Sequence, residues 1–157
     1  MTVSIEVEDQ DWATLPGLQE LAQSAVTAAL RGAAEDAEGC DIAVLFTDDA
    51  AIAEINAEWR GKDKPTNVLS FPTPDDMPVP EGEPQPLGDI VLAFGVITRE
   101  AAEQGKTLRD HTAHLIVHGT LHLLGFDHES DVEADEMEAL ETRILKGLGI
   151  SDPYERD

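Results

Sequence analysis

The stretch Leu115-Ile-Val-His118-Gly-Thr-Leu-His122-Leu-Leu-Gly125-Phe-Asp127-His128 sets the architecture of this chain. From Leu115 to Leu124 its only polar side chains are His118, Thr120 and His122. A helix that apolar is a buried one, so Thr107–Leu124 reads as the central helix of a layered domain. Residues four apart share a helix face, which lets His118 and His122 point at one ion. Gly125 permits the backbone reversal that ends a helix, and the chain can then swing His128 back toward the same point. Three neutral imidazoles around an open coordination position are how a protein builds a hydrolytic zinc site. The same donors also suit nickel, copper or iron.

The plainer alternative is a core with three hydrogen-bonded imidazoles. It gives no reason for Gly119, since glycine in mid-helix costs about 1 kcal/mol against alanine. Beside two ligands, the missing side chain is expected to leave space for substrate. Residues eight apart on a helix are separated by about 12 Å along its axis, so His114 and His122 do not share an ion. His114 is expected to be a buried hydrogen-bonding group behind the ligands, and His111 to be partly solvated. Asp127 either orients a ligand imidazole or caps the turn. The spacing also matches the zinc-peptidase signature His-Glu-x-x-His-x-x-Gly-x-x-His. Here Gly119 holds the place of the general-base Glu, and Met137 lies in a Glu-rich helical stretch rather than a Met-turn. Peptidase chemistry is not expected.

Outward from this helix the elements alternate. Val3, Ile5 and Val7 alternate with polar residues and make 2–8 a strand. Leu15 to Ala33 reads as a helix, Asp41–Thr47 as a buried strand, and Ala50–Trp59 as a helix capped by Asp48 or Asp49. Residues 67–71 form a short strand. Residues 72–86 hold six of the nine prolines and are expected to be a surface loop. A strand over 87–94 and a helix over 96–104 precede the central helix. Ser130 and Glu133 form a capping box for a last helix to Lys146. The order β-α-β-α-β-β-α-α-α gives an α+β fold, a single layered domain over 1–157 with a mixed sheet of about four strands.

With 157 residues and 41% apolar content the chain can bury a core. One cysteine, Cys40, excludes an internal disulfide and fits a reducing compartment; its expected role is packing. The start lacks the basic and apolar regions of a secretory signal, and no apolar run approaches the roughly 20 residues of a membrane helix. A cytoplasmic location is expected. The formal net charge of −23 opposes phosphate binding as a whole. Its distribution is uneven: residues 60–109 carry a net of −2 and the rest −21. The acid runs, Glu129–Glu141 among them, are expected to be solvated faces.

A second constellation lies in that less negative part: Trp59-Arg60-Gly-Lys62-Asp-Lys64-Pro-Thr66-Asn67-Val-Leu-Ser70-Phe-Pro. Arg60 offers a planar fork of donors suited to phosphate. Lys62, Lys64 and Ser70 fall with it as candidate substrate contacts. The local pattern alone also fits a basic surface turn entering a strand.

The histidine run His118-Gly-Thr-Leu-His-Leu-Leu-Gly-Phe-Asp-His128, the block Arg60–Pro72, Leu87-Gly-Asp-Ile and Glu136-Met-Glu-Ala-Leu-Glu141 together resemble the YbeY family of endoribonucleases and rRNA maturation factors. The likeness runs over nearly the whole chain. It implies a zinc-dependent hydrolase of single-stranded RNA that matures the 3′ end of 16S ribosomal RNA and serves ribosome quality control. It implies zinc ligands at His118, His122 and His128 and a functional arginine at Arg60. The partners that follow are precursor 16S rRNA, the small ribosomal subunit with its proteins, and a ribosome-assembly GTPase. Asn67 departs from the Asp common in the family, and loop 72–86 is longer than usual. Without the resemblance, the same residues also fit a metal-dependent hydrolase of a peptide or small ester. They fit a non-catalytic assembly factor with a structural zinc as well, though an open coordination position argues against a purely structural ion.

Overall fold

The computed structural model describes residues 2–33, 40–73, 85–126 and 130–150. Four strands form one sheet: β1 (Thr2–Val7), β2 (Cys40–Thr47), β3 (Val68–Pro72) and β4 (Gln85–Ala93), in the order β1-β2-β4-β3. β1, β2 and β4 are parallel, and β3 is antiparallel to β4 at the edge. Five helices complete the domain: α1 (Leu18–Gly32), α2 (Asp49–Arg60), α3 (Phe94–Gln104), α4 (Leu108–Leu123) and α5 (Asp131–Gly147). Their order and the mixed sheet agree with the expected α+β domain.

Strand alternation divides the core in two. Ile42, Val44 and Phe46 of β2, with Ile90 and Leu92 of β4, pack under α1, α4 and α5. Leu69, Val91 and Ala93 face the other way and meet Ile52 of α2. The helix ends follow their sequence signals. Asp48, Thr107 and Ser130 cap α2, α4 and α5 by accepting from the N–H of Ala51, Asp110 and Glu133.

Two stretches differ from expectation. The first helix begins at Leu18 rather than Leu15, because Pro16 and the left-handed Gly17 (φ 73°) interrupt it. Ahead of it a 3-10 turn, Gln10–Thr14, plants Trp12 in the core, where its indole donates to the Thr47 carbonyl at 2.9 Å. The strands reach into both ends of the expected loop 72–86, since Pro72 closes β3 and Gln85 and Pro86 already belong to β4, and residues 74–84 lie outside the described residues. β3 pairs with β4 from Val68 opposite Leu92 to Pro72 opposite Gly88, and the Thr73 N–H continues the contact to the Leu87 carbonyl at 3.0 Å.

Candidate active site

α4 lies buried against the sheet and ends as its sequence suggests. Phe126 N–H returns to the Leu121 carbonyl at 3.1 Å and Gly125 N–H to His122 at 3.0 Å, with Gly125 at φ 99°. This is a Schellman turn, which glycine alone enters without a Cβ penalty. His118 and His122 lie one helical turn apart on the preceding face, and their Nε2 atoms approach to 3.0 Å. Nδ1 of His118 lies 2.5 Å from Oε1 of Glu141 on α5. Against a carboxylate, Nδ1 is the nitrogen that carries the proton, so Nε2 turns a lone pair toward His122.

Glu141 is wholly buried. Its second oxygen, Oε2, stands 3.1 Å from Nε2 of His114, which is also buried. The acid run ending at Glu141 was expected to be a solvated face, and at Glu141 it is not. Met137, Leu140, Ile144 and Leu145 are the apolar buried residues of α5, and Glu141 sits in the middle of their stripe. That helical spacing was the available signal, and a carboxylate in such a stripe needs partners. The two imidazoles supply them.

His111 departs from expectation as well. It is only 3% exposed rather than partly solvated. Its Nε2 lies 2.9 Å from Oε1 of Glu100 on α3, and Glu100 also accepts from Asn67 Nδ2 at 3.0 Å. Burial holds the His111 pKa below its ordinary value of 6.5, although the hydrogen bond to Glu100 opposes the shift. Asn67 accepts in turn from the Val68 N–H at 2.7 Å. An amide serves this position because it can donate to Glu100 and accept from the backbone.

The Asn67–Glu100 pair also lines a cavity of about 430 Å³ together with Arg60, Lys62, Lys64 and Thr66. The three cations are exposed, and none forms an ion pair among the described residues. Asn56 braces the turn that carries them by donating to the Lys64 carbonyl at 3.0 Å. The Glu100–His111 contact ties this cavity to α4. His111 precedes His118 by seven residues, about 10 Å along the helix axis.

Ser70 donates to the Gly119 carbonyl at 3.2 Å and fastens β3 to α4 beside His118. Gly119 does not open space for substrate, contrary to expectation. A Cβ there would meet Ser70 Oγ at 3.0 Å and Ile90 Cγ2 at 3.2 Å. The glycine exists so that α4 can lie close on β3 and β4. A glutamate at this position would be driven into the sheet, which removes the peptidase general base on steric grounds.

His128 and Asp127 lie outside the described residues. Among the described residues no group of three or more His, Cys, Asp or Glu side chains is placed to hold a metal ion. The donors that are described suit a divalent ion: two imidazole nitrogens facing each other, one of them set by a buried carboxylate, as metal-ligating histidines usually are.

A mixed sheet with a histidine-bearing helix packed on it, a carboxylate behind its imidazoles and a turn of cations that form no ion pair among the described residues make this a histidine-centred α+β domain. The family described as endoribonuclease YbeY matches residues 4–149. The chain belongs to that family. It is 53% identical to an endoribonuclease YbeY of Azorhizobium caulinodans, over 98% of this chain and 96% of the relative. It is 51% identical to one of a Chelativorans species, over 98% and 93%. A third, from Bradyrhizobium diazoefficiens, is 50% identical over 91% of this chain and 79% of its own length. A Thermotoga maritima protein solved in solution shares the fold, with a TM-score of 0.57 at 22% identity over 98% of this chain and 99% of that one. No helix among the described residues is long and apolar enough to cross a membrane.

Proposed function

We propose that this endoribonuclease cuts single-stranded RNA by metal-assisted phosphodiester cleavage, with zinc held by His118, His122 and His128. The observation that carries this reading is the 3.0 Å approach of the two Nε2 atoms, with Nδ1 of His118 against Glu141. Bound there, zinc would supply Lewis acidity toward a phosphoryl oxygen. The remaining work belongs to the chain. Glu141 keeps the His118 proton on Nδ1. His114 shares that carboxylate and completes its hydrogen bonding. Arg60, Lys62 and Lys64 draw the RNA backbone to the β3 edge, against the repulsion of a chain with a net charge of −23. Arg60 holds phosphate through its fork of donors, and Ser70 keeps β3 in register with α4.

In the cell this activity serves maturation of the 16S rRNA 3′ end and ribosome quality control in the cytoplasm. The acidic faces outside residues 60–109 fit basic ribosomal proteins of the small subunit, and a ribosome-assembly GTPase is a further partner. The test is cleavage of single-stranded RNA by metal-loaded wild type and by a His118→Ala form. Wild type is expected to cut and the variant to lose nearly all turnover. Equal activity in both would end the metal reading.

A further inference from the structure

The two tryptophans have opposite environments. Trp12 is fully buried, whereas Trp59 is 69% exposed, the most exposed large apolar side chain among the described residues. An indole left in water forgoes much of the stabilisation that burial brings. Trp59 is nonetheless held in place: its ring meets Phe71 of β3 edge-to-face, with centroids 6.2 Å apart at 61°. It lines a trough of about 600 Å³ on the sheet face that α2 leaves uncovered, floored by Leu45, Ile55 and Val91. Glu6 and Asp89 stand exposed in the same trough. Their carboxylates repel phosphate and can accept from the amino groups of nucleobases. The next residue, Arg60, opens the cation cavity with Lys62 and Lys64. Trp59 is thus followed within five residues by three of the ten basic residues of the chain.

We infer that Trp59 is a stacking platform for one base of the RNA, with the adjoining phosphates on Arg60, Lys62 and Lys64. The inference rests on the endoribonuclease reading and adds how single strands are chosen. Stacking on a side chain requires a base free of its partner strand, so the platform admits unpaired RNA and rejects duplex. It is sequence-tolerant, because every base has a π-face.

The test uses the whole protein and two probes: a short single-stranded oligoribonucleotide and an abasic ribose-phosphate oligomer of equal length. The first probe is expected to quench the tryptophan fluorescence of wild type and not that of Trp59→Phe, whose remaining indole, Trp12, is buried. Trp59→Phe keeps an aromatic face and is expected to retain most of the affinity. Trp59→Ala is expected to bind the oligoribonucleotide about 5- to 150-fold more weakly, while binding the abasic oligomer as wild type does. Undiminished binding of the oligoribonucleotide by Trp59→Ala, with wild type still cleaving RNA, overturns the platform and leaves the nuclease reading intact. An equal loss for both probes overturns it too, since the loss is then not stacking. If wild type neither binds nor cuts RNA, the nuclease reading falls and the platform falls with it.

Discussion

Oε1 of Glu141 lies 2.5 Å from Nδ1 of His118, so a carboxylate on the last helix decides which nitrogen of a central-helix imidazole faces His122. Glu141→Gln preserves shape and removes the charge. Outer partners of ligating histidines are typically worth about 10- to 100-fold in metal affinity or activity. Glu141→Gln is expected to lose metal affinity by such a factor, with RNA cleavage reduced in step. Competition with a chromophoric chelator measures the first and oligonucleotide cleavage the second. A folded variant with unchanged affinity would show that Glu141 does not orient the site.

The contact at Gly119 makes a prediction about stability. Alanine gains about 1 kcal/mol over glycine in a helix interior. Pressing a methyl on Ser70 Oγ and Ile90 costs about 1–3 kcal/mol, as overpacking does. Gly119→Ala is therefore expected to be less stable than wild type by about 1 kcal/mol, read as a lower urea midpoint. A variant more stable than wild type would contradict the close packing of α4 on the sheet.

The cation cavity predicts a salt signature. For single strands the slope of log K against log salt is about −0.7 per phosphate neutralised. Arg60→Ala is expected to weaken binding to all single-stranded sequences alike and to make that slope shallower by about 0.7. The same is expected of Lys62→Ala and Lys64→Ala. Fluorescence anisotropy over a salt series measures it, and an unchanged slope places the phosphate elsewhere.

His111 predicts a pH dependence. Its folded pKa lies below the ordinary 6.5, chiefly through burial. Between those two pKa values the unfolded chain holds more protons than the folded one, so stability rises with pH. As pH falls below 6.5, wild type is expected to lose unfolding free energy more steeply than His111→Gln. The Gln side chain can still donate to Glu100 and does not titrate. Urea melts across mildly acidic pH give the difference, and parallel curves would mean that His111 is not held neutral by the fold.

What the sequence disclosed was local. The histidine pair, the glycine turn at Gly125 and the caps at Asp48 and Ser130 each follow from spacings of a few residues, and the structure keeps them. What it hid depends on tertiary partners. Glu141 looked solvated because its neighbours in sequence are acids, yet the turn spacing of α5 carries it inward to His114 and His118. His111 is buried because α3 brings Glu100 to it, across eleven residues. Gly119 was legible as anomalous, but its reason, a sheet pressed against the helix, required the register of β3 and β4.

The placement of Glu141 also bears on how the protein is made. The imidazoles of α4 leave the ribosome before the residue that sets their protons, and α5 docks only after it has been synthesised. A nascent chain halted ahead of Glu141 carries histidines without their guide. The carboxylate that orients His118 therefore reaches it only when translation of the domain is nearly done.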